Sequence, residues 1–328
     1  MICNGCYKAS ADDYCMVCRK RMFDGKKVPK TLSFDAPKDS NLASYQEQTK
    51  RLSISGVQLK YSLRLEGKEL VMTEKGGHYI LKPIPPTVYL KETSQAPGNE
   101  HLTMQIAEQA FRIKTAYNAV IYFKDGAPAY ITRRFDAKAG GSKYLQEDMA
   151  QLSGRSRLTD GENFKYNSTI EAIGKLVRRY VAAAEPALET LFRVVLFNYL
   201  MSNGDAHLKN FSLLQSDAGD YGLAPAYDLM STILHMPGET DVALDLYHGD
   251  QDGPVHSKFG FLGQAEFRIL AEKLGLVPKR TERILSEMLM QEHKVINMIE
   301  HSFLSDDTKK TYQENFLGKL RRMGMTGK

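Results

Sequence analysis

The 328 residues suffice for one two-lobed domain or two ordinary ones, and 42% hydrophobic against 25% charged residues excludes wholesale disorder, a coiled-coil rod and a disulfide-dense toxin. Lys and Arg number 44 against 39 Asp and Glu, and the resulting +5 is too thin over this length to argue for nucleic acid, so direct nucleic-acid binding is not expected. The most apolar helical stretch, Leu191 to Met201, is broken by Arg193 and Asn198 and falls short of the ~20 residues that span a bilayer. No membrane helix and no secretory signal is expected, and the default location is the cytoplasm.

All four cysteines lie near the start, as Cys3-x2-Cys6-x8-Cys15-x2-Cys18. Two C-x2-C pairs can close a tetrahedral thiolate cage around a structural Zn²⁺ with no position left open for catalysis. The alternative is free thiols in a mobile tail. Arg19, Lys20, Arg21, Lys26 and Lys27 follow, a run that reads as a solvated charged face before it reads as a nucleic-acid contact. Residues 26–50 read as a polar linker with a short helix before Arg51.

From Ser53 to Phe135 strands are expected at Gln58–Leu65, Gly77–Lys82, Ala119–Phe123 and Ala129–Phe135, the last two joined by a Lys-Asp-Gly turn. One amphipathic helix, Glu100 to Phe111, interrupts them with Leu102, Ile106 and Ala110 on one face. After residue 140 helical spacing dominates, in Ser168–Ala184, Ala187–Met201, Gln264–Leu274, Lys279–Phe303 and Asp306–Met323. The expectation is an α+β chain: a knuckle at 1–25, a linker at 26–50, a strand-rich lobe at 51–136 and a helical lobe at 137–328, with the ligand site between the lobes.

The most informative stretch is Asn203-Gly204-Asp205-Ala206-His207-Leu208-Lys209-Asn210, which falls on a loop. Asp205 and Asn210 stand five apart, the spacing at which phosphotransfer enzymes set a carboxylate for the substrate hydroxyl proton and an amide for a metal. Asp228, in Tyr227-Asp228-Leu229-Met230, is the candidate second metal ligand. Upstream, Lys82 ends a strand where it could pair nucleotide phosphates, and Ser53-Ile54-Ser55-Gly56-Val57-Gln58-Leu59-Lys60 forms a small-residue turn that could cover them. His207 reads as a loop brace before a base. Lys209 reads as a neutraliser of the transferring phosphoryl or a stabiliser of Asp205. Ser53 and Ser55 could also be plain turn residues. His235, His248 and His256 are too scattered for a metal cluster.

These residues, with Leu81-Lys82-Pro83, Asn99-Glu100, Arg134-Phe135-Asp136, Gln146-Glu147-Asp148-Met149 and Leu223 to Leu229, resemble the HipA-like serine/threonine kinases of bacterial toxin–antitoxin modules over about residues 50–290. The resemblance implies a two-lobed kinase-like fold using ATP and Mg²⁺. It makes Asp205 the base toward a protein Ser or Thr hydroxyl, Asn210 and Asp228 the Mg²⁺ ligands, Lys82 a phosphate contact and Glu100 its orienting partner. It puts nucleotide against Ser53, Ser55, Gly56, Val57, Gln58 and Lys60, and autophosphorylation at Ser53 and Ser55. The partners it implies are a protein substrate such as an aminoacyl-tRNA synthetase, and a helix-turn-helix antitoxin. A separate small-subdomain protein is also implied, because the chain is similar to the short type. The family's histidine before Gln-Glu-Asp-Met is Leu145 here. Two rival readings stay open: a silent scaffold binding antitoxin or nucleic acid through its knuckle, and a small-molecule or lipid kinase.

Overall fold

The structure, a computed structural model, describes residues 1–37, 58–87, 89–138 and 142–326. Five antiparallel strands, β1 (Tyr61–Glu66), β2 (Glu69–Met72), β3 (Tyr79–Pro83), β4 (Asn118–Tyr122) and β5 (Pro128–Arg133), form a sheet in the order β2-β1-β3-β5-β4. The alternating pattern decides its faces. Leu63, Leu81, Ile121 and Ile131 join one core cluster, whereas Tyr130, which lies opposite Lys82 in register, joins another. Strand β2 escaped the sequence reading because its four residues bury only Leu70 and leave no alternation to detect.

Helix α1 (Met16–Phe23) is N-capped by Cys15 and carries the last cysteine, Cys18, and its Met22 and Phe23 enter the same apolar cluster as Leu63, Leu81 and Ile131. The cysteine segment is thus built into the sheet's core. Residues 26–37 also lie on protein: Val28 and Leu32 are buried, Leu32 N donates to Tyr122 O at 2.7 Å, and Tyr122 N donates to Lys30 O at 2.7 Å. That segment caps edge strand β4, which would otherwise offer open backbone groups. The helix expected before Arg51 lies outside the described residues.

Helix α2 (Ala96–Gln109) joins β3 to β4, and every residue from Asn99 to Ala107 is buried. The expected single apolar face is therefore a correction: the helix is enclosed on all sides, by β4 and β5 and by the C-terminal helices. Its polar residues are tolerated because they find partners. Asn99 Nδ2 donates to Ser231 O at 2.9 Å, His101 Nδ1 lies 2.7 Å from Asn118 Oδ1, and the Thr103 and Tyr312 hydroxyls are 2.8 Å apart.

The helical part comprises α3 (Ile170–Tyr180), α4 (Ala184–Leu200), α5 (Gln264–Lys273), α6 (Pro278–Leu289), α7 (Glu292–Glu300) and α8 (Asp306–Met323). The single helix expected over Lys279–Phe303 is two, α6 and α7, with a break at Met290 and Gln291. A small antiparallel sheet joins β6 (Gln146–Asp148), which precedes α3, to β7 (Ser212–Gln215) and β8 (Tyr221–Leu223), which follow the polar loop at 203–210. Helix α4 is buried from Val194 to Leu200 and forms the floor on which the polar loop at 203–210 is set.

Candidate active site

Lys82 stands inside β3 with a side chain 5% exposed, and its Nζ donates to Glu100 Oε1 of α2 at 2.5 Å and to Asp228 Oδ1. Lys60 Nζ lies 3.8 Å from the other Asp228 oxygen. Burial works against the Lys82 ammonium, but the Asp228 and Glu100 carboxylates outweigh it and lift its pKa above the ordinary lysine value. Burial alone would raise Asp228; Lys82 and Lys60 overcome that and hold it well below the carboxylate range. Burial raises Glu100, and Lys82 offsets this only in part. At neutral pH the group is a charged lysine gripped by an ionised aspartate, the condition for electrostatic work on an anionic ligand. Asp228 adopts φ 54°, in the left-handed region that aspartate tolerates better than most residues.

The polar loop leaves α4 through Asn203, whose N donates to Asn198 O at 2.9 Å and whose Nδ2 donates to Asn198 Oδ1 at 3.0 Å. Gly204 N donates to Thr232 Oγ1 at 2.7 Å. A Cβ on Gly204 would come within 2.6 Å of Glu239 Cδ and 2.7 Å of Thr240 O, so only glycine lets the loop approach that segment. Asp205 is buried and accepts a hydrogen bond from the Tyr166 hydroxyl at 2.5 Å. His207 Nε2 lies 3.9 Å from the same oxygen. Burial pushes the His207 pKa down to about 4, the Asp205 charge opposing only in part, so the ring is neutral at pH 7. Its backbone N–H donates to Asn210 Oδ1 at 3.0 Å, which closes the short turn Leu208–Asn210 at the end of the loop. Lys209 points to the rim, 48% exposed, with Nζ 3.3 Å from Asp148 Oδ2.

Gln58, Lys82, Glu100, Asn203, Asp205, Asn210 and Asp228 line one small cavity. It shares Asn210 and Asp228 with a cleft of about 670 Å³ bounded also by Lys60, Arg134, Asp136, Lys165 and Lys209. Arg134 forks onto Asp136 at 2.9 and 2.6 Å on the cleft wall. Leu145, the residue before Gln146-Glu147-Asp148, is 59% exposed on the same wall. Two buried atoms facing the small cavity, Gln58 Nε2 and Glu100 Oε2, have no hydrogen-bond partner among the described residues. An unmet donor beside two lysines suits phosphate oxygens, and the Asn210 and Asp228 side chains supply the oxygen donors that Mg²⁺ takes. The residues present therefore fit a magnesium nucleotide. Ser53, Ser55, Gly56 and Val57 lie outside the described residues.

Sequence reasoning missed Tyr166, Lys165, Thr232 and Glu239. Nothing marks Tyr166, which stands 39 positions before Asp205; only the chain's path brings them together. His235 is buried, with Nε2 2.9 Å from Asn99 Nδ2 and Nδ1 2.9 Å from Lys91 O, so it braces the segment after Asp228. The Cys3, Cys6, Cys15 and Cys18 sulfurs all lie within 4.8 Å of one another and form no disulfide. Three of the five basic residues behind them are paired: Arg19 and Lys27 with Asp12, and Arg21 with Glu108 at 2.6 Å.

Comparison with known proteins gives a match to the HipA-like C-terminal domain over residues 52–296. A Haemophilus influenzae protein with a provisional kinase name is 27% identical over 286 residues, 80% of this chain and 80% of its own length. A Sinorhizobium fredii protein with a similar name is 31% identical over 229 residues, 64% of this chain and 53% of its own. The Shewanella oneidensis serine/threonine-protein kinase toxin HipA is 28% identical over 210 residues, 59% and 46% respectively. The matched stretch thus spans about half the length of these last two relatives. Among solved structures, a chain from the Shewanella oneidensis complex of HipA, HipB and operator DNA superposes with a TM-score of 0.63 at 20% identity, covering 89% of this chain and 72% of that one. The Helicobacter pylori proinflammatory kinase CtkA gives 0.52 at 14%, covering 80% and 93%. At these identities the two structures speak for the fold alone. No helix among the described residues is long and apolar enough to cross a membrane.

Proposed function

The chain belongs to the family of HipA-like C-terminal domains, and from that premise we propose that it is an ATP- and Mg²⁺-dependent protein serine/threonine kinase. The observation that carries this reading is the Lys82 ammonium shared by Glu100 and Asp228, in a cavity that Asp205 and Asn210 also line. Phosphoryl transfer asks little covalent chemistry of a protein, so positioning and charge neutralisation supply most of the effect. In this reading Lys82 contacts the nucleotide phosphates and Glu100 orients it. Asp205, held by the Tyr166 hydroxyl, takes the proton of the substrate hydroxyl. Asn210 and Asp228 hold Mg²⁺, which when bound offsets charge on the phosphates. Lys209 and Lys60 add positive charge at the mouth, and His207 keeps the loop in shape as a neutral ring.

The same reading makes the chain the toxin of a toxin–antitoxin pair, on the strength of a relative named as such and a structural neighbour solved with its antitoxin. Its substrate is then a protein such as an aminoacyl-tRNA synthetase, and Ser53 and Ser55 its own phosphorylation sites. Two phosphates there would add about −3 to −4 charge near the nucleotide. The four cysteines take a structural zinc ion. Incubation with γ-labelled ATP and a cell extract tests the enzymatic core. Label should enter protein with the native chain, and Asp205→Ala should remove it while MgATP affinity stays within about threefold, since this residue acts in the transition state. Label surviving that substitution, or entering only metabolites, would reject the assignment.

A further inference from the structure

Residues 1–25 hold one eight-residue helix and a single bridge between Ile2 and Ala9, too little to make a core of their own. Their shape is nonetheless specific, and the sulfur geometry accounts for it. Cys6 Sγ and Cys15 Sγ are 3.8 Å apart, the edge of a tetrahedron with metal–sulfur bonds of about 2.3 Å. Cys3 Sγ accepts from Cys15 N at 3.1 Å and from Gly5 N at 3.4 Å, as a thiolate does. A Cβ on Gly5 would stand 2.8 Å from Cys18 Sγ, so the turn between Cys3 and Cys6 admits no larger residue.

The knuckle so closed grips two elements at once. Toward helix α2, Gln109 Nε2 donates to Cys6 O at 3.0 Å, and the Tyr7 ring packs against His101, the neighbour of Glu100, with centroids 4.9 Å apart. Arg21 pairs with Glu108 of the same helix. Toward the sheet, Tyr79 of β3, three positions before Lys82, donates through its hydroxyl to Met22 O at 2.7 Å. The β4 edge is also held, Val120 N donating to Asn4 O and Tyr14 Oη donating to Val120 O, each at 2.9 Å. Strand β3 carries Lys82 and helix α2 carries Glu100.

We propose that zinc held by Cys3, Cys6, Cys15 and Cys18 makes the knuckle a clamp that fixes helix α2 against strand β3, so that metal occupancy governs the Lys82–Glu100 pair and with it nucleotide affinity. The proposal rests on the zinc and kinase readings above, and it adds a control point about which neither speaks. Metal binding is folding energy for so small a segment, so removing the ion releases the contacts to Gln109, His101 and Tyr79 together.

The test uses the full chain, loaded with zinc and then stripped by a chelator with far-UV circular dichroism as a check on the fold. Three quantities are read: zinc per chain, amide hydrogen exchange along residues 99–109, and MgATP affinity by calorimetry. The expected result is one zinc per chain. Stripping should speed exchange in α2 at least tenfold with α4 unchanged, and weaken MgATP binding five- to tenfold. Gln109→Ala, which leaves the sulfurs intact, should keep the zinc and still speed exchange in α2. Absence of bound zinc overturns the proposal, and so does unaltered exchange in α2 after stripping or in Gln109→Ala. Faster exchange with unaltered MgATP affinity overturns the link to Lys82. A zinc-loaded chain that binds no MgATP overturns the kinase reading instead, and the exchange measurement then still decides the clamp.

Discussion

Asp205 and Tyr166 meet through a single short hydrogen bond, yet they differ completely in how visible they are along the chain. Asp205 announces itself because Asn210 follows at the spacing phosphotransfer uses, and both sit on one loop. Tyr166 belongs to a different segment, and its neighbours carry no motif. Its hydroxyl, together with its ring, which meets His207 in a T-shaped contact with centroids 5.2 Å apart, keeps the Asp205 carboxylate in one rotamer. Tyr166→Phe should therefore lower kcat by about tenfold to a hundredfold with KM for ATP little changed, because a misplaced catalytic group costs rate and not binding. Steady-state kinetics on the variant check this, and a KM effect larger than the kcat effect would show that Tyr166 binds nucleotide. Lys209, read along the chain as a partner of the phosphoryl or of Asp205, is paired with Asp148 at the rim.

Strand β3 and helix α2 are two elements whose meeting creates the lysine–carboxylate cluster. Leu81 and Lys82 are adjacent and both buried, so alternation sends one into the apolar cluster of the sheet and the other to the opposite face with Glu100. Removing one member of a buried charge cluster leaves the rest uncompensated. Lys82→Met should destabilise the fold by about 3–5 kcal/mol, read from urea unfolding, and abolish labelling. The triple change Lys82→Met, Glu100→Gln and Asp228→Asn, which removes both carboxylates that Lys82 pairs with, should regain much of the stability and none of the activity. If it regained none, burial of the charge cluster would not be the cause. The helix also shows where periodicity misleads. Leu102, Ile106 and Ala110 suggested one apolar face, but Asn99, His101, Thr103 and Gln105 are buried as well, because partners on other elements meet most of their polar atoms, His101 Nε2 excepted.

For the molecule as a whole, burial of titratable groups makes stability depend on pH in a direction that can be worked out. Burial pushes His101 and His207 down to about 4 and lowers His235 by the same cause. These bases bind protons in the unfolded chain at pH values where the folded chain refuses them, so their contribution is lost as pH falls from 6.5 toward 4. Glu239 is the opposite case, raised by burial to about 7, and its contribution is lost as pH rises from 4.5 through 7. Burial raises Glu100 and Asp250 in the same direction as Glu239, so between pH 4.5 and 6.5 the three carboxyls oppose the three histidines. Glu239→Gln removes one of them and should tilt the slope of stability against pH upward, by at most about 1.4 kcal/mol per unit. Urea midpoints of the native chain and the variant at several pH values measure this, and an unchanged slope would mean that the Glu239 carboxyl is more hydrated than its position implies.

The two-part α+β division, most strand and helix positions, the loop bearing Asp205 and Asn210 and the four-cysteine spacing were all legible in the amino-acid order. They depend on periodicity and short spacing, which are local properties that a linear chain displays. Tyr166 beside Asp205, the enclosure of α2, the capping of β4 by residues 26–37 and the knuckle's grip on the strand of Lys82 and the helix of Glu100 were not. Each needs segments distant in sequence to be brought together, and that proximity is created only when the apolar faces of the sheet and helices are buried against one another.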